Sequence, residues 1–227
     1  LPARSEMCIR DRAEPSIIGV SSGGAVFASG LLAIASLAGV ERSYGFLKWG
    51  TALAAFIGAL LTTLLVYSLS RVQGKTVVVN LILVGVAINA MAGGFVTLFS
   101  FIGGTMAQSQ VVFWQLGSLA GAGWSSAVIT LIITVIGIVI ACLCAPKMDL
   151  LALGENQARH LGVNVERFRL CVIILVAALV GVGVAFAGVI AFVGLIVPHA
   201  IRLIIGPQHK WLLPTSAFGG AFVLLVA

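Results

Sequence analysis

The sequence predicts an all-α, polytopic membrane helical bundle, and three observations carry that prediction. Residues 76–146, 71 in all, contain no Asp, Glu, Lys, Arg or His. A soluble domain needs a charged outer face, whereas a bilayer core about 30 Å thick takes roughly 20 apolar residues per helix. Hydrophobic residues make up 60% of the chain and charged residues only 9%, too little polar surface for water. The 20 charged residues also fall in five clusters that punctuate the apolar blocks. In lipid a helix satisfies its own backbone hydrogen bonds. A β-barrel would need polar residues at alternate positions, which runs such as Leu131-Ile132-Ile133 and Val135-Ile136 lack.

The apolar blocks are residues 15–40, 49–70, 76–146, 170–201 and 211–227. The third is long enough for two spans, joined by a Gly-, Ser- and Gln-rich uncharged loop from Gly103-Gly104-Thr105 to Ser125-Ser126. Trp114 and Trp124 in that loop are expected to anchor at the membrane–water interface. The fourth block is expected to break at Gly188 and Pro198, giving a helix over 170–188 and a shorter or broken one over 189–205. That makes seven helical segments, and the 27 glycines suit close helix–helix contact in lipid.

Sidedness follows from Lys and Arg. Alternating the connections puts 71–75, 147–169 and 202–210 on one side with eight Lys/Arg, and 41–48 and 104–123 on the other with two. The excess assigns the first set to the cytoplasm. The net charge of +6 does not point to nucleic acid, because the basic residues stand singly between apolar blocks. Residues 1–12, with the run Ser5-Glu6-Met7-Cys8-Ile9-Arg10-Asp11-Arg12, resemble translated adaptor read-through and are read as a non-native scar. Residues 13–227 then form a single transmembrane domain, read as a fragment cut at both ends, with a cytoplasmic segment at 147–169.

Patterns that look catalytic fail on context. Gly74-Lys75-Thr76 resembles the end of a phosphate-binding loop, but position 69 is Leu where that loop needs glycine. Gly19-Val20-Ser21-Ser22-Gly23 matches a nucleophile elbow, which requires a strand, a turn and a nearby His and acid. An intramembrane serine protease with His199 as base is the sharper form of that idea. Small residues that admit another backbone, Gly19 and Gly23 four apart, explain the segment better. His199 after Pro198 is an ionisable group in an apolar run, suited to a structural role near a helix end or to transport. Asn80 and Asn89 can line a pathway or bridge helices. Cys142, Cys144 and Cys171 have no His or Cys partners at metal spacing, so no metal site and no catalytic residue is expected.

The most specific pattern is the cytoplasmic run Lys147-Met148-Asp149-Leu150-Leu151-Ala152-Leu153-Gly154-Glu155-Asn156-Gln157-Ala158-Arg159-His160-Leu161-Gly162-Val163. Two glycines bracket about two helical turns. Glu155 sits where a helix start favours negative charge, and Arg159 follows four residues on. Gly162 is placed as the C-terminal cap. A short rigid elbow with an apolar patch beside it fits a docking knob; a solvated loop on the headgroups is the bland alternative.

This segment resembles the coupling region of the permease family of binding-protein-dependent ABC importers for iron–siderophore, haem and cobalamin. Three further stretches are similar to that family: Glu14-Pro15-Ser16-Ile17-Ile18-Gly19-Val20-Ser21-Ser22-Gly23-Gly24-Ala25, Phe113-Trp114-Gln115-Leu116-Gly117-Ser118-Leu119, and Phe192-Val193-Gly194-Leu195-Ile196-Val197-Pro198-His199-Ala200-Ile201-Arg202. The resemblance implies about seven helices, the third to the ninth, of a ten-helix permease that works with a second permease copy, as a homodimer or as a heterodimer with a similar permease. It implies two ATPase subunits holding ATP-Mg, a periplasmic or lipoprotein substrate-binding protein, and residence in the bacterial inner membrane. No cofactor is expected on this chain. Leu153, Gly154, Glu155, Ala158, Arg159, Leu161 and Gly162 would engage the ATPase. The substrate implied is an iron chelate, ferric siderophore or haem. An ion-coupled secondary transporter is the rival, and it would need carboxylates buried in the spans. A structural membrane subunit would leave the elbow unexplained.

Overall fold

The computed structural model describes residues 19–38, 44–72, 75–76, 78–118, 123–152, 154–190, 192–206 and 208–226. Its helices are α1 (Val20–Leu37), α2 (Tyr44–Leu69), α3 (Val78–Ile102), α4 (Gly104–Leu116), α5 (Trp124–Ala152), α6 (Glu155–His160), α7 (Val165–Ala187), α8 (Val193–Ile205) and α9 (His209–Val226). A two-residue antiparallel ladder, β1 (Arg71–Val72) with β2 (Lys75–Thr76), closes the turn between α2 and α3. Among the described residues, five helices, α1, α2, α3, α5 and α7, contain stretches long and apolar enough to cross a membrane. The 13 residues of α8 reach only about 20 Å at 1.5 Å per residue, short of the bilayer core. The 29 residues of α5 reach about 44 Å, so its polar end from Lys147 onward projects beyond the hydrocarbon.

Burial is inverted relative to a water-soluble protein. Leu143 is 75% exposed and Phe218 78%, while Ala55 and Ala59 are fully buried. Lipid solvates large apolar side chains as well as a protein interior does. The packed contacts therefore go to small residues that let backbones approach.

Two packing units divide the chain. The first comprises Leu1–Thr130 and Val176–Ile190. In it α1 runs antiparallel to α2: a Cβ on Gly23 would come within 2.6 Å of the Gly58 carbonyl oxygen, and one on Gly50 would meet Leu31 at 3.7 Å. α1 and α3 run parallel, since Ser22 bonds to Asn89 and Ser36 to Gly103, the same offset of 67 residues. Ala28, Ala52, Ala55 and Ala185 form one small-residue core cluster, and Val20, Ala59 and Ala177 another. The Ser36 hydroxyl donates to the Gly103 carbonyl at 2.8 Å, and the Ser118 N–H donates to the Ala187 carbonyl at 2.9 Å. Trp49 meets Phe186 edge-on, with ring centroids 5.7 Å apart. The ends of α1, α3, α4 and α7 and the beginning of α2 thus gather together. This is the pairing of connections that the Lys/Arg alternation requires.

Three expectations are corrected here. The stretch read as an uncharged loop after Gly103 contains a helix, α4, whose Val111 and Trp114 pack on Ala25, Leu32 and Val96. Its polar flanks concealed it, because tertiary contact rather than hydropathy holds it. Trp114 is consequently half-buried in two core clusters and is no interfacial anchor, whereas Trp124 is 89% exposed as an anchor requires. The break in the fourth block falls at Gly188, which has φ +74°, and not at Pro198, which lies inside α8. Pro198 lacks the N–H that would bond the Gly194 carbonyl, yet the helix continues to Ile205. The helices also reach further into the charged connection than the apolar blocks suggest: α5 extends to Ala152 and α7 starts at Val165.

The second unit comprises Leu131–Leu175 and Ala191–Ala227. There α8 and α9 pack together through Gly219, where a Cβ would approach Ile201 at 2.7 Å and Val197 at 3.0 Å. The two helices thus meet through a glycine notch.

Candidate functional site

The elbow is built from backbone rules. Gly154 precedes α6 with φ +131° and ψ 147°, a region open essentially to glycine alone. At the other end Gly162 has φ +82°; its N–H donates to the Arg159 carbonyl at 3.0 Å and the Val163 N–H to the Ala158 carbonyl at 3.0 Å. That is a Schellman cap, which satisfies two carbonyls the short helix would otherwise leave open. Two residues on, the Asn164 side chain accepts from the Arg167 N–H at 3.3 Å and caps α7. A C-cap and an N-cap so close together make a stiff corner rather than a loop.

Side chains on this corner divide by exposure. Ala158 is fully buried, so it fastens the elbow to its own chain and offers no surface, while Arg159, His160 and Leu161 are exposed. Gly154 and Gly162 have open space where a Cβ would stand, so both are needed for backbone conformation and not for clearance. Leu153 lies outside the described residues, and the expected Glu155–Arg159 pair falls on a side chain that is also outside them; Glu155 opens α6. Glu166 and Arg169 pair at 3.6 Å on the first turns of α7. Of the Gly74-Lys75-Thr76 stretch, Gly74 is outside the described residues, and Lys75 and Thr76 form β2.

The first unit brings several of the other candidates together. Gly19 caps α1 with φ +88°, and a Cβ there would lie 3.3 Å from Thr62 Cγ2. Gly23 faces Thr62 and Gly58 so closely that a methyl group would overlap the Thr62 side chain. The Ser22 hydroxyl donates to Asn89 Oδ1 at 2.5 Å or to the Gly19 carbonyl at 3.1 Å. With the Asn89 amide turned over, its Nδ2 donates to Ser22 and the hydroxyl serves Gly19, so the bridge holds in either orientation. Asn89 therefore joins α1 to α3. Ser21 and Asn80 are half-buried and take no part in that bridge. In the second unit Pro198 is half-buried and His199 is exposed on α8.

Several contributors were not singled out from sequence. Thr62 and Gly58 complete the α1–α2 crossing, and only a pairing of the two helices could identify them. Asn164 was findable, since Asn ahead of Val165-Glu166 is a capping signal. The Trp114-x-x-Gly117-Ser118 motif acquires a structural meaning: Gly117 and Gly188 meet, and a Cβ on Gly117 would stand 2.8 Å from the Val189 carbonyl oxygen. The motif docks the end of α4 onto the end of α7.

Long apolar helices packed through small residues, with a capped corner between two spans, define a polytopic helical membrane bundle. A solved inward-facing metal-chelate type ABC transporter superposes with a TM-score of 0.82 at 29% identity, covering 95% of this chain and 67% of that one. A model of the FecCD transport family matches residues 12–227, and the chain belongs to that family. The hemin transport system permease protein HmuU of Yersinia pestis is 38% identical over 216 residues, covering 95% of this chain and 63% of the relative. The cobalamin import system permease protein BtuC of Halobacterium salinarum is 38% identical over 213 residues, 93% of this chain and 55% of the relative. The chain thus spans less than two thirds of the length of either.

Proposed function

We propose that this chain belongs to the permease subunit of an ATP-driven importer in a bacterial cytoplasmic membrane, and that the substrate is an iron chelate, haem or a ferric siderophore. The observation that carries the reading is the double-capped corner at 154–164 between two long spans, in a chain of this family. The corner is the contact for a separate ATPase, which holds ATP-Mg. A second permease copy completes the pathway, and a periplasmic or lipoprotein binding protein delivers the substrate. ATP binding pulls on the corner, and the packed helices switch between outward and inward arrangements. Cobalamin is the second reading, supported by the 38% identity to an archaeal cobalamin permease, equal to that for the hemin permease.

The test uses the full-length subunit with its ATPase and binding protein in vesicles. Gly154→Ala imposes local strain of about 1–3 kcal/mol at a conformation few L-residues adopt. Uptake per ATP hydrolysed is expected to fall while ATPase turnover persists. Unchanged uptake at normal expression removes the docking assignment. Competition among haem, ferric siderophores and cobalamin in the same vesicles identifies the substrate class.

A further inference from the structure

The last turns of α5 carry a feature that the corner itself does not explain. Pro146 lies inside α5 and removes a backbone hydrogen bond, so the helix is mechanically weak just before its polar end. Beyond that weak point Asp149 reaches the first residue of α9. Its Oδ1 accepts from the His209 backbone N–H at 3.3 Å and lies 2.5 Å from His209 Nδ1. One carboxylate oxygen thus caps the start of α9 and holds its imidazole. The carboxylate is badly placed for its own helix, because negative charge near the C-terminal end of α5 opposes that helix's dipole, and it is well placed at the start of α9. The contact therefore favours the α5–α9 junction, at the expense of the end of α5 and to the benefit of the start of α9.

We propose that Asp149 and His209 form a latch that pins the end of α5, beyond Pro146, to the base of α9. The corner that begins at Gly154 then projects from a fixed platform. A push on it moves α5 and α9 together instead of bending α5 at its proline. Asp149 and His209 are positioning residues for energy coupling, an inference that rests on the importer reading above.

Two measurements test it on the full-length subunit. In vesicles with the ATPase and binding protein, Asp149→Asn and His209→Gln each lower uptake per ATP hydrolysed by about fivefold, the low end for coupling energies. The double variant loses no more than Asp149→Asn alone, because the imidazole contact that His209→Gln removes also needs the Asp149 carboxylate. The exchanged pair, Asp149→His with His209→Asp, recovers most of the loss. Losses that multiply in the double variant, or singles with unchanged stoichiometry, overturn the latch. The second measurement needs no ATPase: a nitroxide on Gln157→Cys, an exposed position on α6, becomes more mobile in the Asp149→Asn background in nanodiscs. Unchanged mobility overturns the latch even where transport is intact. Failure of the wild-type subunit to co-purify with any ATPase would instead remove the importer reading.

Discussion

The α1–α2 crossing gives the sharpest test of the packing account. A methyl group on Gly23 would lie 2.6 Å from the Gly58 carbonyl oxygen, where ordinary contact begins near 3.4 Å, so the helices must part by about 0.8 Å. The Thr62 hydroxyl can rotate away, but Thr62 Cβ, 2.5 Å from the new methyl, and the Gly58 backbone cannot. Overpacking of this kind costs about 1–3 kcal/mol. At about 2–4 °C per kcal/mol for a chain of this size, Gly23→Ala lowers the thermal midpoint in detergent by about 2–12 °C. The control is Gly94→Ala on α3, where nothing lies within 4 Å of the new methyl. There the substitution leaves the midpoint unchanged or raises it, since alanine restricts the unfolded chain more than glycine does. The pair of variants carries the same chemical change, and only Gly23→Ala is expected to lower the midpoint. A Gly23→Ala midpoint equal to that of Gly94→Ala would refute the close approach and the reasoning built on it.

Two further expectations follow from local geometry. Ser22→Ala and Asn89→Ala each remove the bridge between α1 and α3, and a double-mutant cycle on the midpoint should return a coupling of about 1 kcal/mol; additive losses would mean the hydrogen bond is not shared. Phe192 stands ahead of α8 with φ +68°, a conformation costly for a non-glycine residue, so Phe192→Gly should stabilise the purified chain by about 1 kcal/mol, read as a raised midpoint.

Much of the architecture was legible because lipid imposes a simple rule. Spans must be apolar, so the charged clusters mark their ends, and the helices over Tyr44–Leu69 and Val78–Ile102 fall where the blocks place them. Gly154 and Gly162 were legible as the limits of a short helix because backbone conformation at a cap is a local matter. α4 escaped because a helix that rests on its neighbours need not be strongly apolar. Trp114 was misassigned for the same reason: an aromatic ring at a span end reads alike whether it faces headgroups or packs against Ala28 and Ala185.

Composition, the spacing of charge and the placing of two glycines by themselves determined that this chain is a multi-span helical membrane protein, where its longest helices lie, and that a short glycine-bracketed helix follows the span ending near Lys147. Those properties depend on single residues and their immediate neighbours along the chain. Tertiary structure alone decided that Gly23 meets Gly58, that Asn89 reaches Ser22 across 67 positions, and that Asp149 caps α9 from 60 positions away. Small residues and half-polar side chains look equivalent in a hydropathy pattern. Which of them touch is settled only when whole helices are brought side by side.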